Sequence, residues 1–171
     1  DIQAKNVYGK EDTMITIQLD CAIADKFDMY YIDQNGAKVR PYIIHRTSLG
    51  CYERTLAYLI ETYAGALPLW LSPEQVRILP VTDRAIDYSK TVLAKLEQRG
   101  IRATIDSRNE GIGYKIRQAQ LEKIPYMLIL GDNEIENKSV SVRSRKNGDM
   151  GSMKVDEFVA MAIEEVETKK L

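Results

Sequence analysis

Two stretches of this 171-residue chain gather side chains that can do chemistry. The first runs from His45-Arg46-Thr47-Ser48-Leu49-Gly50-Cys51 into Tyr52-Glu53-Arg54. It reads as a strand end, a tight small-residue loop and the start of a helix. The glycine lets a ligand approach the backbone. An arginine at such a place can lay its planar, permanently charged guanidinium over an aromatic ring or against a phosphate. The second is Asp106-Ser107-Arg108-Asn109-Glu110-Gly111, beyond the carboxyl end of a strand and leading into a helix, where open α/β sheets bind ligands. Arg117, Glu134, Arg143 and Arg145 can join it. Arginine and asparagine suit base edges and phosphates, and glutamate accepts from base donors, so the mixture suits single-stranded RNA. Gly111 and Gly113 do not make a dinucleotide fingerprint, because the third glycine is absent. Residue types alone leave the plainer alternatives open: a salt-bridged Arg54 and a solvated sheet end.

The elements that must position these residues fall into two groups. Thr13 to Cys21 alternates, with Ile15, Ile17, Leu19 and Cys21 on one side and Thr16, Gln18 and Asp20 on the other, which predicts a half-buried strand. Asn35-Gly36 predicts a hairpin turn between strands 28–33 and 38–45. Tyr52, Leu56, Leu59, Ile60 and Tyr63 recur at helical spacing, predicting a helix with one face in the core. Three antiparallel strands and one helix in about seventy residues bury little apolar surface, and the first residues carry neither an initiator Met nor a capping signal. The chain therefore reads as the middle of a longer one, with upstream residues expected to complete this sheet.

Gly65, Pro68 and Pro73 punctuate a boundary. Beyond it the pattern becomes strand, helix, strand, helix, strand over 76–81, 83–99, 101–105, 111–123 and 125–130. A polar turn over 131–138, an alternating strand over 139–145 and a closing helix over 154–167 follow. The expectation is an α/β fold: a mixed, mostly parallel sheet of five-stranded type flanked by helices, preceded by a partial antiparallel sheet with one helix. The two domains expected are 1–70 and 73–171.

Composition narrows the function classes. The net charge of −1 argues against indiscriminate nucleic-acid binding. Residues 99–146, however, carry ten Lys/Arg against six Asp/Glu, while the first seventy carry seven against nine. No apolar run is long enough to span a bilayer and no basic-then-apolar leader opens the chain. Cys21 and Cys51, without CxxC spacing, fit a reducing compartment. A cytoplasmic location is expected, with neither a membrane nor DNA as partner.

Several motifs carry a specific resemblance over nearly the whole chain. Thr16-Ile17-Gln18-Leu19-Asp20, Arg40-Pro41-Tyr42-Ile43-Ile44-His45-Arg46 and Leu49-Gly50-Cys51-Tyr52-Glu53-Arg54 resemble the last strands and third signature motif of a class II aminoacyl-tRNA synthetase catalytic domain, that of the threonyl-tRNA synthetases. Arg108-Asn109-Glu110, Ile112-Gly113-Tyr114-Lys115-Ile116-Arg117, Ile124-Pro125-Tyr126-Met127 and Gly151-Ser152-Met153 resemble the same family's anticodon-binding domain. The resemblance implies ATP-dependent attachment of threonine to tRNA(Thr), with Mg2+, in a homodimeric parent. It implies that Arg54 stacks on the ATP adenine, that Gln18 and Cys51 line the ATP and adenylate pocket, and that His45 is one of three ligands to a Zn2+ that selects threonine. It further implies that Asn109, Arg117, Lys123, Glu134 and Arg143 read or brace the anticodon. The sequence departs from the family at Cys51, where serine is common, and at Gly111 and Lys123, where a lysine and an arginine are. The other zinc ligands find no counterpart here, so the chain by itself is expected to be inactive. The rival expectations are a prolyl, glycyl or histidyl synthetase of the same subclass, or a non-catalytic tRNA-binding accessory protein.

Overall fold

The computed structural model describes residues 1–47 and 52–171. The chain divides into two compact units, Asp1–Gly65 and Ala66–Leu171.

In the first unit, β1 (Ile2–Lys5), β2 (Glu11–Asp20) and β5 (Ile43–Thr47) form an antiparallel sheet with β2 in the centre. Between β2 and β5 lie the single-turn helix α1 (Ile23–Lys26) and a short hairpin of β3 (Tyr31–Ile32) and β4 (Lys38–Val39). The turn at Asn35-Gly36 forms as expected. Asp33 Oδ1 accepts the Asn35 and Ala37 N–H groups at 2.8 Å each, and Gly36 takes φ 79°, which a side chain would resist. Helix α2 (Tyr52–Thr62) ends where Gly65, at φ 75°, donates its N–H to the Ile60 carbonyl.

Burial here departs from expectation. The alternation in β2 is present, but Ile17 and Leu19 are 65% and 63% exposed, and α2 has no buried residue, so its apolar stripe does not reach a core. Ala24 is the one fully buried apolar residue among the described residues of this unit. Three strands and a helix supply no second layer to close over those faces. Strand β1 was not legible either, because four residues of mixed polarity carry no alternation.

The second unit holds a five-stranded sheet in the order β10-β9-β8-β6-β7. Here β6 (Val76–Pro80) pairs in parallel with β7 (Ala103–Ile105) and β8 (Tyr126–Leu130), while β9 (Ser139–Ser144) and β10 (Gly148–Lys154) extend it antiparallel. Helices α3 (Ile86–Gln98) and α6 (Val155–Glu167) cover one face: Val92, Leu96, Phe158, Val159 and Ala162 pack on Ile78, Leu128, Leu130, Val140 and Val142. Helix α4 (Ile112–Leu121) covers part of the other, setting Ile112, Ile116 and Ala119 on Leu79 and Met127. Phe158 is wholly buried and meets the Tyr126 ring edge-on, with centroids 5.5 Å apart.

Two expectations are corrected. The stretch 131–138 contains a short helix, α5 (Asp132–Asn137), rather than a polar turn. Glu134 Oε2 accepts the Gly131 N–H at 2.9 Å to start it, and Lys138 in the left-handed region at φ 48° ends it. Strand β10 lies where no strand was expected, because Gly148 and Gly151 break the pattern and its register slips between Asp149 and Gly151.

The stretch 66–75 belongs to this second unit, with Leu69 in its core. Three polar side chains fix its backbone. Arg145 donates to the Ala66, Leu67 and Lys123 carbonyls, and Arg102 to those of Trp70, Ser72 and Pro73. Buried Gln75 donates to the Leu69 carbonyl and accepts the Arg102 N–H. Buried backbone carbonyls need such partners. Arg145 therefore does not join the ligand end as its sequence position suggested.

Candidate nucleic-acid interface

The chain leaves β6 for α3 on one face of the sheet and leaves neighbouring β7 for α4 on the other. Two adjacent parallel strands whose outgoing loops part in this way open a crevice at their carboxyl ends. A polar cavity of about 250 Å³ lies there, walled by the loops after Pro80 and after Asp106. Asp106, nearly buried, receives the Arg108 side chain on both oxygens, at 2.8 and 2.6 Å, and the Arg108 N–H at 3.2 Å. These bonds hold its carboxyl below the ordinary range against the opposing effect of burial, and the charge of Lys115 adds to the same shift. Arg108 also lies over the Tyr114 ring, 5.8 Å from its centroid. The pair braces the loop and leaves exposed Asn109 at its tip, lining the cavity.

Beyond the strip that α4 covers, β9 and β10 show the same face of the sheet without a helix over it. The register aligns Met127, Arg143 and Asp149 across β8, β9 and β10, and Ser141 with Ser152 two residues along, so these side chains share one face. Glu134 reaches this face from α5, its Oε1 accepting the Ser141 hydroxyl at 2.9 Å. Arg143 is half-buried, and its guanidinium forms no ion pair among the described residues. Arg117 projects from α4, exposed and likewise unpaired.

The structure thus sets Glu134 and Arg143 together through Ser141, and puts Asn109 and Arg117 at the loop and on the helix that follows it. Lys123 stands apart, just past the other end of α4 from Asn109, about 15 Å of helix away, in the left-handed region at φ 59°. Lys115 went unremarked in the sequence as a site residue. Its signal was its spacing, three residues after Ile112 and four before Ala119, which puts a lysine on the inner stripe of α4.

In the first unit, Gln18 and His45 stand directly opposite in the β2–β5 register and so share a face. Asp20 caps the next turn, accepting the Ala22 and Ile23 N–H groups at 2.8 and 2.9 Å, and its Oδ2 lies 3.2 Å from His45 Nε2. Those backbone bonds first, and His45 after them, hold the Asp20 carboxyl below its usual range. Arg54 Nη1 donates to the Thr13 carbonyl at 3.1 Å. Cys51 lies outside the described residues. Among the described residues no group of three His, Cys, Asp or Glu side chains could hold a metal ion, so the donors here do not fit a complete zinc site. No described helix is long and apolar enough to cross a membrane.

A mixed five-stranded sheet with a polar crevice at its strand switch, and Arg and Asn side chains beside it, defines an α/β domain of the kind that binds ligands beyond its strand ends. Residues 75–165 match the anticodon binding domain family, and the chain belongs to it. It is 58% identical over 170 residues to the threonine–tRNA ligase of Clostridium perfringens strain SM101 and 49% identical to that of Acetivibrio thermocellus, covering 99% of this chain in each case. It spans about a quarter of those relatives, 26% and 27% of their length. A solved structure, the RNA binding domain of threonyl-tRNA synthetase from Cryptosporidium parvum Iowa II, superposes with a TM-score of 0.79 at 32% identity, covering 95% of this chain and 41% of that one.

Proposed function

We propose that this chain is the anticodon-reading end of a threonine–tRNA ligase, binding the anticodon arm of tRNA(Thr) through Asn109, Arg117, Glu134 and Arg143. The observation that carries the reading is Arg143, a guanidinium without an ion pair among the described residues, on a sheet face left open beside Ser141 and Glu134. A planar fork of donors reads a guanine edge or a phosphate, and Glu134 accepts from a base amine. Lys123, at the far end of α4, suits a backbone phosphate rather than a base, because a point charge there adds affinity without reading sequence.

The finer reading concerns the parent protein. There the first unit contributes Arg54 to the adenine of ATP, Gln18 and Cys51 to the adenylate pocket, and His45 as one zinc ligand, the remaining ligands coming from outside these residues. Magnesium accompanies the ATP, threonine is the amino acid, and the parent is a cytoplasmic homodimer. Resemblance of the motifs supports this part. The chain by itself does not form threonyl-adenylate.

The test is binding of the chain to labelled anticodon stem-loops of tRNA(Thr) and of a non-cognate tRNA across a salt series. Selective binding that both Asn109→Ala and Arg143→Ala abolish is the expected result. Equal affinity for the two RNAs at every salt concentration would reduce the domain to a weak, charge-driven binder and sink the reading.

A further inference from the structure

Helix α2 closes on two reciprocal bonds. The Ala64 N–H donates to the Glu61 carbonyl at 3.1 Å, and the Gly65 N–H to that of Ile60 at 2.9 Å. This pair fixes the backbone as far as the Gly65 amide. Both residues take positive φ, 48° at Ala64 and 75° at Gly65. For alanine that conformation is disfavoured, and such residues persist where neighbouring bonds impose them and recur in switch regions.

From the Ala66 carbonyl onward the anchors are different ones. Arg145 Nη2 donates to the Ala66 and Leu67 carbonyls at 3.1 and 2.7 Å, and the Ser72 hydroxyl lies 3.0 and 3.1 Å from those of Leu67 and Pro68. The Pro68 carbonyl also accepts the Leu71 and Ser72 N–H groups, at 3.0 Å each. Leu69 is buried, and Arg102 and Gln75 hold the remaining residues up to β6. All of these anchors belong to the second unit. Pro68 and Pro73, which punctuate the sequence here, therefore lie inside that unit and not in a free linker.

One peptide separates the two sets of anchors. The Gly65 carbonyl and the Ala66 N–H make no hydrogen bond among the described residues. The φ and ψ angles of Gly65 and Ala66 thus lie between a backbone tied to α2 and a backbone tied to the second unit. Hinges are built in this way, from a few residues at the end of an element that absorb the change in φ and ψ.

We propose that the chain bends between its two units at Gly65–Ala66, and that residues 66–75 form a rigid arm of the second unit, with Arg145 as the latch that keeps the arm from peeling away. Rotation at this joint carries the arm and the five-stranded sheet as one body, with neither core disturbed. The inference goes beyond the anticodon reading and does not depend on it.

The experiment measures backbone amide residual dipolar couplings on the full 171-residue chain, isotope-labelled and weakly aligned. An alignment tensor fitted to the strands and helices of 76–167 should also reproduce the couplings of 67, 69–72, 74 and 75, and should fail upstream of Gly65. The Ala66 amide should exchange with solvent about a hundredfold or more faster than the Gln75 amide, which is bonded to the Arg102 carbonyl. In Arg145→Ala the coupling of Leu67 should leave the second unit's tensor while those of Ser72 and Gln75 remain on it, a local release that a general loss of stability would not produce. A break in the tensor at or beyond Pro73, a single tensor for the whole chain, or equal exchange at Ala66 and Gln75 would overturn the hinge. These wild-type results decide that point even if Arg145→Ala does not fold. A Leu67 coupling unchanged in Arg145→Ala would overturn the latch.

Discussion

Arg143 and Arg145 are two residues apart at the end of one strand, and the structure gives them opposite employment. Arg145 directs its guanidinium at the Ala66, Leu67 and Lys123 carbonyls, and burial lowers its pKa, so it is held at some cost in hydration. Arg143 makes no ion pair among the described residues. Alanine at each should therefore separate stability from recognition. Truncating Arg145 leaves three carbonyls without their charged donor. At about 1 kcal/mol apiece, the low end for such bonds because water reaches part of the site, the loss is about 3 kcal/mol. A unit of about one hundred residues unfolds with an entropy of roughly 0.2 kcal/mol per kelvin, so Arg145→Ala should lower the Tm of the second unit by about 10–15 °C. Its RNA affinity, measured well below that Tm, should stay within about twofold of wild type. Arg143→Ala should leave Tm within about 1 °C and weaken binding of the anticodon stem-loop by about 1–3 kcal/mol, the range for one bidentate base contact.

Two assays on the same three proteins decide the matter: thermal unfolding by circular dichroism, and stem-loop binding across a salt series. A fall in Tm for Arg143→Ala equal to that for Arg145→Ala would show that Arg143 is also engaged in holding the fold. An unchanged Tm for Arg145→Ala would show that its hydrogen bonds do not fix the 66–75 stretch. Either result refutes the division of labour.

Three further perturbations test the frame around the site. Phe158→Ala, which empties a wholly buried ring position against Tyr126, should cost about 3–5 kcal/mol in urea unfolding of the second unit. Asp106→Asn should destabilise by about 2 kcal/mol at pH 7 through the lost charged bonds to Arg108. Because the folded-state pKa of Asp106 is depressed, its contribution is present above the unfolded value near 3.9 and lost as pH falls through the folded one. The gap between mutant and wild type in a pH series of melts should therefore close below about pH 4. Lys138→Gly, at a left-handed position, should raise stability by about 1 kcal/mol, read as a higher urea midpoint at unchanged m-value.

What the sequence made legible follows from how local each signal is. The alternation of β2, the Asn-Gly turn and the periodic helices α3 and α4 are written within a few residues, and they formed. Strand β10 and helix α5 were not legible, since one is broken by glycines and the other is six residues, all polar but Ile135, started by a single side-chain bond from Glu134. Burial in the first unit was misjudged for a different reason. Periodicity reports which face of α2 is apolar, and whether anything covers that face depends on other elements. The loop that carries Asn109 was found from its place after a strand, but nothing in the spacing of Arg143 and Arg145 distinguished the guanidinium without an ion pair among the described residues from the one bonded to backbone.

The two ends of the second unit's parallel strands divide its polar chemistry, and the topology explains why. At the amino ends, the entering backbone of 66–75 is held by Arg102, Arg145 and Gln75, whose hydrogen bonds all go to main-chain groups. Cations used in that way are turned toward the main chain rather than toward a ligand. At the carboxyl ends the outgoing loops part, and there the charged groups outnumber their internal partners: Asp106 satisfies Arg108, and Lys115 bonds one carbonyl. A fold can hold such a surplus only where a solvated or ligand-filled crevice receives it. The cations of residues 99–146, equal in formal charge, are thus placed in two ways: Arg102 and Arg145 hold the entering chain, while Lys115 at the crevice and Arg143 on the open sheet face keep donors that the chain itself does not use.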